Sequence, residues 1–176
     1  MYWNRKHVLV CTASHCMQKG ANNVAGRLRL EMKRRGLDQD VLVNTCDSID
    51  LCDIGPNIVV YPERAIYSHV QVSDLKEIIE HLQGGVPVER LLLTPETPEE
   101  AAREQFFRSV VVDGDTVSAE EFATLVVEHG YDDAWINEQA RRGFIARKEA
   151  EGVPTVTVTT KALQRYRITV PTDERV

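Results

Sequence analysis

Four cysteines, Cys11, Cys16, Cys46 and Cys52, are the residues whose type and spacing could do chemistry in this chain. They are all of its thiols, and they fall into two pairs spaced C-x4-C and C-x5-C. Three chemistries compete for such a set. Two disulfides would suit an oxidising compartment and a small cysteine-dense scaffold, which a chain of 176 residues with four cysteines is not. A structural zinc site uses four thiolates, but its knuckles keep shorter spacings such as C-x2-C. An iron–sulfur cluster also uses four thiolates and accepts longer loops such as C-x4-C. The spacing favours the cluster.

The elements that must position these thiols can be read from periodicity. His7-Val8-Leu9-Val10 is a short apolar run that ends at Cys11, and Val41-Leu42-Val43 leads into the second pair. Each pair therefore sits at the C-terminal edge of a strand, where ligands collect in open α/β sheets. Between the strands, Val24, Leu28 and Met32 recur every four residues and predict an amphipathic helix over 21–35, with Gly36 as its C′ residue. Its Arg27, Arg29, Lys33, Arg34 and Arg35 are either solvated charges favourable to the helix dipole or a docking face for an acidic redox partner. Gly55-Pro56-Asn57 turns the chain into Ile58–Tyr61, and a hairpin leads on to Ala65-Ile66-Tyr67. Ser73 reads as the N-cap of a helix carrying Leu75, Ile78, Ile79 and Leu82, which Gly84-Gly85 ends. The order β-α-β-β-β-α predicts an α/β layer.

The stretches His7–Cys11, Cys52-Asp53-Ile54-Gly55-Pro56-Asn57 through Tyr61-Pro62, and Gly84-Gly85-Val86-Pro87-Val88-Glu89-Arg90-Leu91 resemble the thioredoxin-like [2Fe-2S] ferredoxin family over residues 5–93. The resemblance implies a thioredoxin-like fold, a [2Fe-2S] cluster on Cys11, Cys16, Cys46 and Cys52, and electron transfer to or from a partner oxidoreductase. It also brings with it the dimerisation common in that family, so a homodimer is a further expectation. One departure stands out. The family spaces its second pair C-x3-C, which would put the third ligand at Ser48, so Cys46 must reach in from two residues further back. His15 lies between the first two cysteines, but histidine-ligated [2Fe-2S] centres use two histidines with two cysteines. It reads as a surface loop residue, or otherwise as an outer-shell tuner. Asp47, Asp50 and Asp53 crowd the second loop, either lowering the cluster's potential or acting as exposed turn formers.

Such a carrier needs no acid, base or nucleophile, and the sequence offers no phosphate-cradling loop, nucleophile elbow or metal-spaced histidine pair. It is therefore expected not to be an enzyme by itself. No apolar run approaches the roughly 20 residues of a membrane span. Met1 to Lys6 is too short for a signal peptide, so the expected location is cytoplasmic.

Residues 94–116 read as a linker that runs into a short helix over 99–107, with Thr97 as N-cap and Pro98 at the first helical position. Val110-Val111-Val112 is expected to form a brief strand. Residues 117–176 follow as a second domain. Ser118-Ala119-Glu120-Glu121 opens a helix as a capping box, and Asp132 or Asp133 caps another that Gly143 stops. Phe144–Lys148 and Thr155–Thr159 read as strands joined at Glu151-Gly152, and Lys161–Tyr166 as a final helix. This order, with Arg142-Gly143-Phe144-Ile145-Ala146-Arg147 before the hairpin, resembles a winged-helix module and makes the second domain a small α+β one.

The net charge of −6 argues against general nucleic-acid affinity, and all of it lies in residues 94–176, with 10 basic against 16 acidic side chains. Residues 134–168 reverse the sign, with 7 basic against 3 acidic. The alternative function is accordingly an iron–sulfur-dependent transcriptional regulator that binds DNA through the second domain. Against it, Asp132, Asp133 and Glu138 crowd the helix that would enter the groove.

Overall fold

A computed structural model describes residues 4–51, 54–150 and 152–171, and the chain separates into two units, Met1–Thr94 and Pro95–Val176. The first is built from β1 (Lys6–Cys11), α1 (Ser14–Gln18), α2 (Ala21–Arg34), β2 (Val41–Cys46), β3 (Ile58–Tyr61), β4 (Ala65–Tyr67) and α3 (Leu75–Leu82). Its sheet runs β2-β1-β3-β4. β1 and β2 are parallel, because the crossover through α2 returns the chain in the same direction, while β3 and β4 pair antiparallel. Val8 and Val10 pack with Val24, Leu28 and Met32 of α2 and Ile78, Ile79 and Leu82 of α3 in one core. The α/β order expected from periodicity is present, with α1 as an addition.

α2 ends as its sequence predicts. Gly36 takes φ 65°, its N–H donates to the Lys33 carbonyl at 3.1 Å, and Leu37 N donates to Met32 O at 2.9 Å. These two bonds form a Schellman motif, and Leu37 packs against the core that holds Met32. The start of α3 differs from expectation. Ser73 is not its cap; a single 3-10 turn over Val72–Asp74 precedes the helix. The Asp74 carboxylate accepts from Gln71 N at 2.7 Å and from Arg90 Nη2 at 2.9 Å, so the acid reaches backwards to close the 3-10 turn, and α3 follows without a side-chain cap of its own.

The second unit comprises α4 (Pro98–Val110), β5 (Thr116–Ser118), α5 (Ala119–Glu128), α6 (Asp133–Arg141), β6 (Ile145–Ala150), β7 (Val153–Val158) and α7 (Thr160–Arg165). The helix expected over 99–107 is longer, and it is core material. Phe106 and Phe107 are wholly buried, and Phe106 meets Phe122, Tyr131 and Trp135 edge-on at 5.5, 5.5 and 4.8 Å between ring centroids. Val110-Val111-Val112 is not a strand, since Val110 closes α4 and the strand lies at Thr116–Ser118. Ser118 Oγ accepts from Glu121 N at 3.1 Å and Asp132 Oδ1 from Trp135 N at 2.8 Å, which settles two helix starts. The sheet order is β5-β7-β6, all antiparallel. Gly152 turns the hairpin at φ 80°, whereas Glu151 lies outside the described residues.

Candidate metal centre

β1 ends at Cys11 and β2 at Cys46, and the parallel register sets these two residues opposite one another. Cys16, expected on a loop, stands on α1 and faces inward, while Ser14, Met17 and Gln18 of the same turn are exposed. Gly20 at φ 93° then redirects the chain into α2, which brings Ala21 against Cys11 and Cys16. Cys11 and Cys16 are wholly buried, Cys46 is half-buried, and all three are free thiols in one apolar cluster with Ala13, Ala21 and Ile49. Cys52 and Asp53 lie outside the described residues.

Backbone bonds tie the two cysteine segments together. Thr12 donates twice to the Cys46 carbonyl, from its N–H at 2.9 Å and its hydroxyl at 3.0 Å. Cys11 N donates to Asn57 O at 3.0 Å, and Cys11 Sγ donates to Asp47 O at 3.3 Å. Periodicity revealed none of these ties. The Asn57 side chain, also missed, is wholly buried and reaches Cys16 Sγ at 3.9 Å and Leu51 O at 2.6 Å. Only its position in the Gly-Pro-Asn turn beside the cysteine loop hinted at it.

Burial pushes the Cys46 thiol above its ordinary value, and the neighbouring Cys11 and Asp47 add to the rise. A metal cation would invert this balance by stabilising thiolate. Asp47 and Asp50 are exposed, as turn formers would be; Asp50 takes φ 59°, and its N–H is accepted by Ser48 Oγ at 3.0 Å. His15 is half-buried on α1. Among the described residues, no group of three or more His, Cys, Asp or Glu is close enough to hold a metal ion. The converging donors are nonetheless sulfur, soft ligands that fit iron–sulfur chemistry and not a hard cation. Among the described residues, no helix is long and apolar enough to cross a membrane.

No family model matches the chain. It is 32% identical over 96 residues to a 2Fe-2S ferredoxin of Clostridium pasteurianum, covering 49% of this chain and 94% of that protein. It is 33% identical over 106 residues to a 2Fe-2S ferredoxin of Aquifex aeolicus, covering 53% of this chain and 93% of the relative. Against the crystal structure of the wild-type thioredoxin-like [2Fe-2S] ferredoxin of Aquifex aeolicus the TM-score is 0.49 at 31% identity, over 52% of this chain and 98% of that one. Since about a third of positions agree over nearly the whole of both relatives, the chain belongs to the thioredoxin-like [2Fe-2S] ferredoxin family.

Proposed function

We propose that the chain is a one-electron carrier whose [2Fe-2S] cluster is held by Cys11, Cys16, Cys46 and Cys52. The observation that carries this reading is the opposition of Cys11 and Cys46 at the strand ends, with Cys16 buried in the same cluster. Bound there, the group supplies reversible one-electron transfer. The residues of the chain supply the surroundings. Ala13, Ala21 and Ile49 pack around the wholly buried Cys11 and Cys16, and the Thr12 bonds hold the two segments in register. Exposed Asp47 and Asp50 disfavour added negative charge and so lower the potential. The role is that of a subunit or carrier for a partner oxidoreductase, not of an enzyme with its own substrate. Anaerobic purification should yield brown protein with about two iron and two sulfide per chain. One tightly bound zinc and no sulfide would refute the reading.

For residues 95–176 the order α-β-α-α-β-β, with β5 paired to β7, supports a winged-helix-like module. Its charge arrangement supports docking of protein over DNA. Arg142 is buried with its guanidinium 4.2 Å from the Phe144 ring centroid, and Lys161 Nζ donates to the Arg142 carbonyl at 3.0 Å. Arg141 pairs with Glu138, and Arg165 with Glu100 at 2.9 Å. Arg142 is thus withdrawn from the surface, Arg165 is partly withdrawn, and the exposed Arg141 is offset by Glu138, which lowers the positive charge shown to phosphates. Titration against mixed-sequence duplex DNA at low salt should show no binding. Micromolar or tighter affinity that changes with oxidation state would instead support the regulator.

A further inference from the structure

Asn57 has no part in ligation, yet its position is unusual for an amide. The side chain is wholly buried, and its Nδ2 lies 3.9 Å from Cys16 Sγ and 2.6 Å from the Leu51 carbonyl. The Leu51 carbonyl can only accept, so the amide cannot be turned over without setting two oxygens against each other. The nitrogen is therefore committed to the sulfur side. The other end shows what this orientation sacrifices: Oδ1 is buried and, among the described residues, has no hydrogen-bond partner. A buried acceptor left unmatched is costly, and such groups persist where another demand fixes the geometry. Here the demand is two donors, one aimed at a cysteine of the first pair and one at the residue preceding Cys52 in the second.

We propose that Asn57 is a positioning residue of the cluster site. Its amide hydrogen-bonds the Cys16 sulfur, which raises the potential, and it clamps the second cysteine loop through Leu51, which retains the iron. This rests on the reading of the site as a [2Fe-2S] centre. A hydrogen bond to ligand sulfur favours the more negative reduced state, and outer-shell partners of this kind typically change metal affinity by about 10- to 100-fold. A donor aimed at thiolate also gains from the charge.

The test uses the full chain, reconstituted with iron and sulfide. In wild-type protein labelled with nitrogen-15 at asparagine side chains, the reduced cluster should show a hyperfine coupling to that label. Asn57→Leu, close in volume and without donors, should lose the coupling and shift the midpoint potential downward. Its iron retention against a chelator should weaken by about 10- to 100-fold. The wild-type coupling is decisive even if the variant folds poorly. An intact cluster with no coupling would overturn the inference and leave the [2Fe-2S] reading standing, as would a well-folded Asn57→Leu with unchanged potential. Zinc without sulfide in the wild type would overturn both.

Discussion

Tyr67 Oη meets His81 Nδ1 at 2.7 Å in the interior of the first unit, where the two rings stand edge to face. Val88 N donates to the same phenol at 3.1 Å, which leaves the Tyr67 O–H available to Nδ1; in that arrangement the proton of the neutral ring sits on Nε2. Burial pushes His81 below its ordinary 6.5, buried Lys6 adds to that, and Glu63 partly opposes it. Because the folded state binds this proton less readily than the unfolded chain, the stability contribution is complete above about 6.5 and is lost as pH falls. Thermal midpoints should therefore drop between pH 7.5 and 5.5, and His81→Asn should flatten that slope. An undiminished slope in the variant would assign the effect elsewhere. Tyr67→Phe should cost about 1–3 kcal/mol at pH 7.5 by orphaning Val88 N–H.

The second cysteine pair yields a contrast between two neighbours. Ser48 Oγ is engaged by Asp50 N at 3.0 Å in an exposed turn, whereas Cys46 faces Cys11 across the ladder. Under the proposed ligation, Cys46→Ser should strip or destabilise the cluster, read as lost visible absorption and iron content. Ser48→Ala should keep the spectrum and cost at most about 1 kcal/mol. The reverse ranking would make Ser48 the ligand.

Glu100 is buried in the second unit, with Arg103 Nη1 at 2.5 Å, Arg165 Nη2 at 2.9 Å and Tyr166 Oη at 3.4 Å. Removing one partner from a buried pair leaves the others uncompensated, a loss of about 3–5 kcal/mol. Glu100→Ala should lower the unfolding midpoint of this unit sharply, followed by the near-ultraviolet signal of its packed aromatic rings. A change within about 0.5 kcal/mol, the range of ordinary surface substitutions, would show that the pair is effectively solvated.

Two glycines should respond to alanine with opposite signs. A Cβ on Gly85 would lie 2.8 Å from the Glu80 carbonyl oxygen, so the end of α3 must shift. A Cβ on Gly26, inside α2, meets nothing within 4 Å. Gly26→Ala should stabilise by about 0.5–1 kcal/mol. Gly85→Ala should destabilise by about 1–3 kcal/mol. Chemical denaturation of both variants would check the pair, and equal effects would contradict it.

Local pattern made much of this legible before any coordinates. The four-residue recurrence of Val24, Leu28 and Met32 marked α2, and Ile58–Tyr61 with Ala65–Tyr67 marked the hairpin. What escaped depends on contacts distant in sequence. Glu100 reads as a first-turn charge, because nothing near it announces Arg165 across 65 residues. The valine run at 110–112 satisfies strand propensity, but Val110 is claimed by the aromatic core that α4 builds. The pairing of Cys11 with Cys46 is a register, which spacing alone does not specify. Cys52 stays an assignment from sequence, outside the described residues.

The double donation of Thr12 to the Cys46 carbonyl has a dynamic consequence. With Cys11 N also bound to Asn57 O, neither cysteine segment can lift from the sheet without breaking bonds made by the other. Hydrogen-bonded segments that depend on one another open together, as a single cooperative unit. The amides of Cys11 and Thr12 should therefore exchange with solvent deuterium at one common protection factor, governed by one opening equilibrium rather than two.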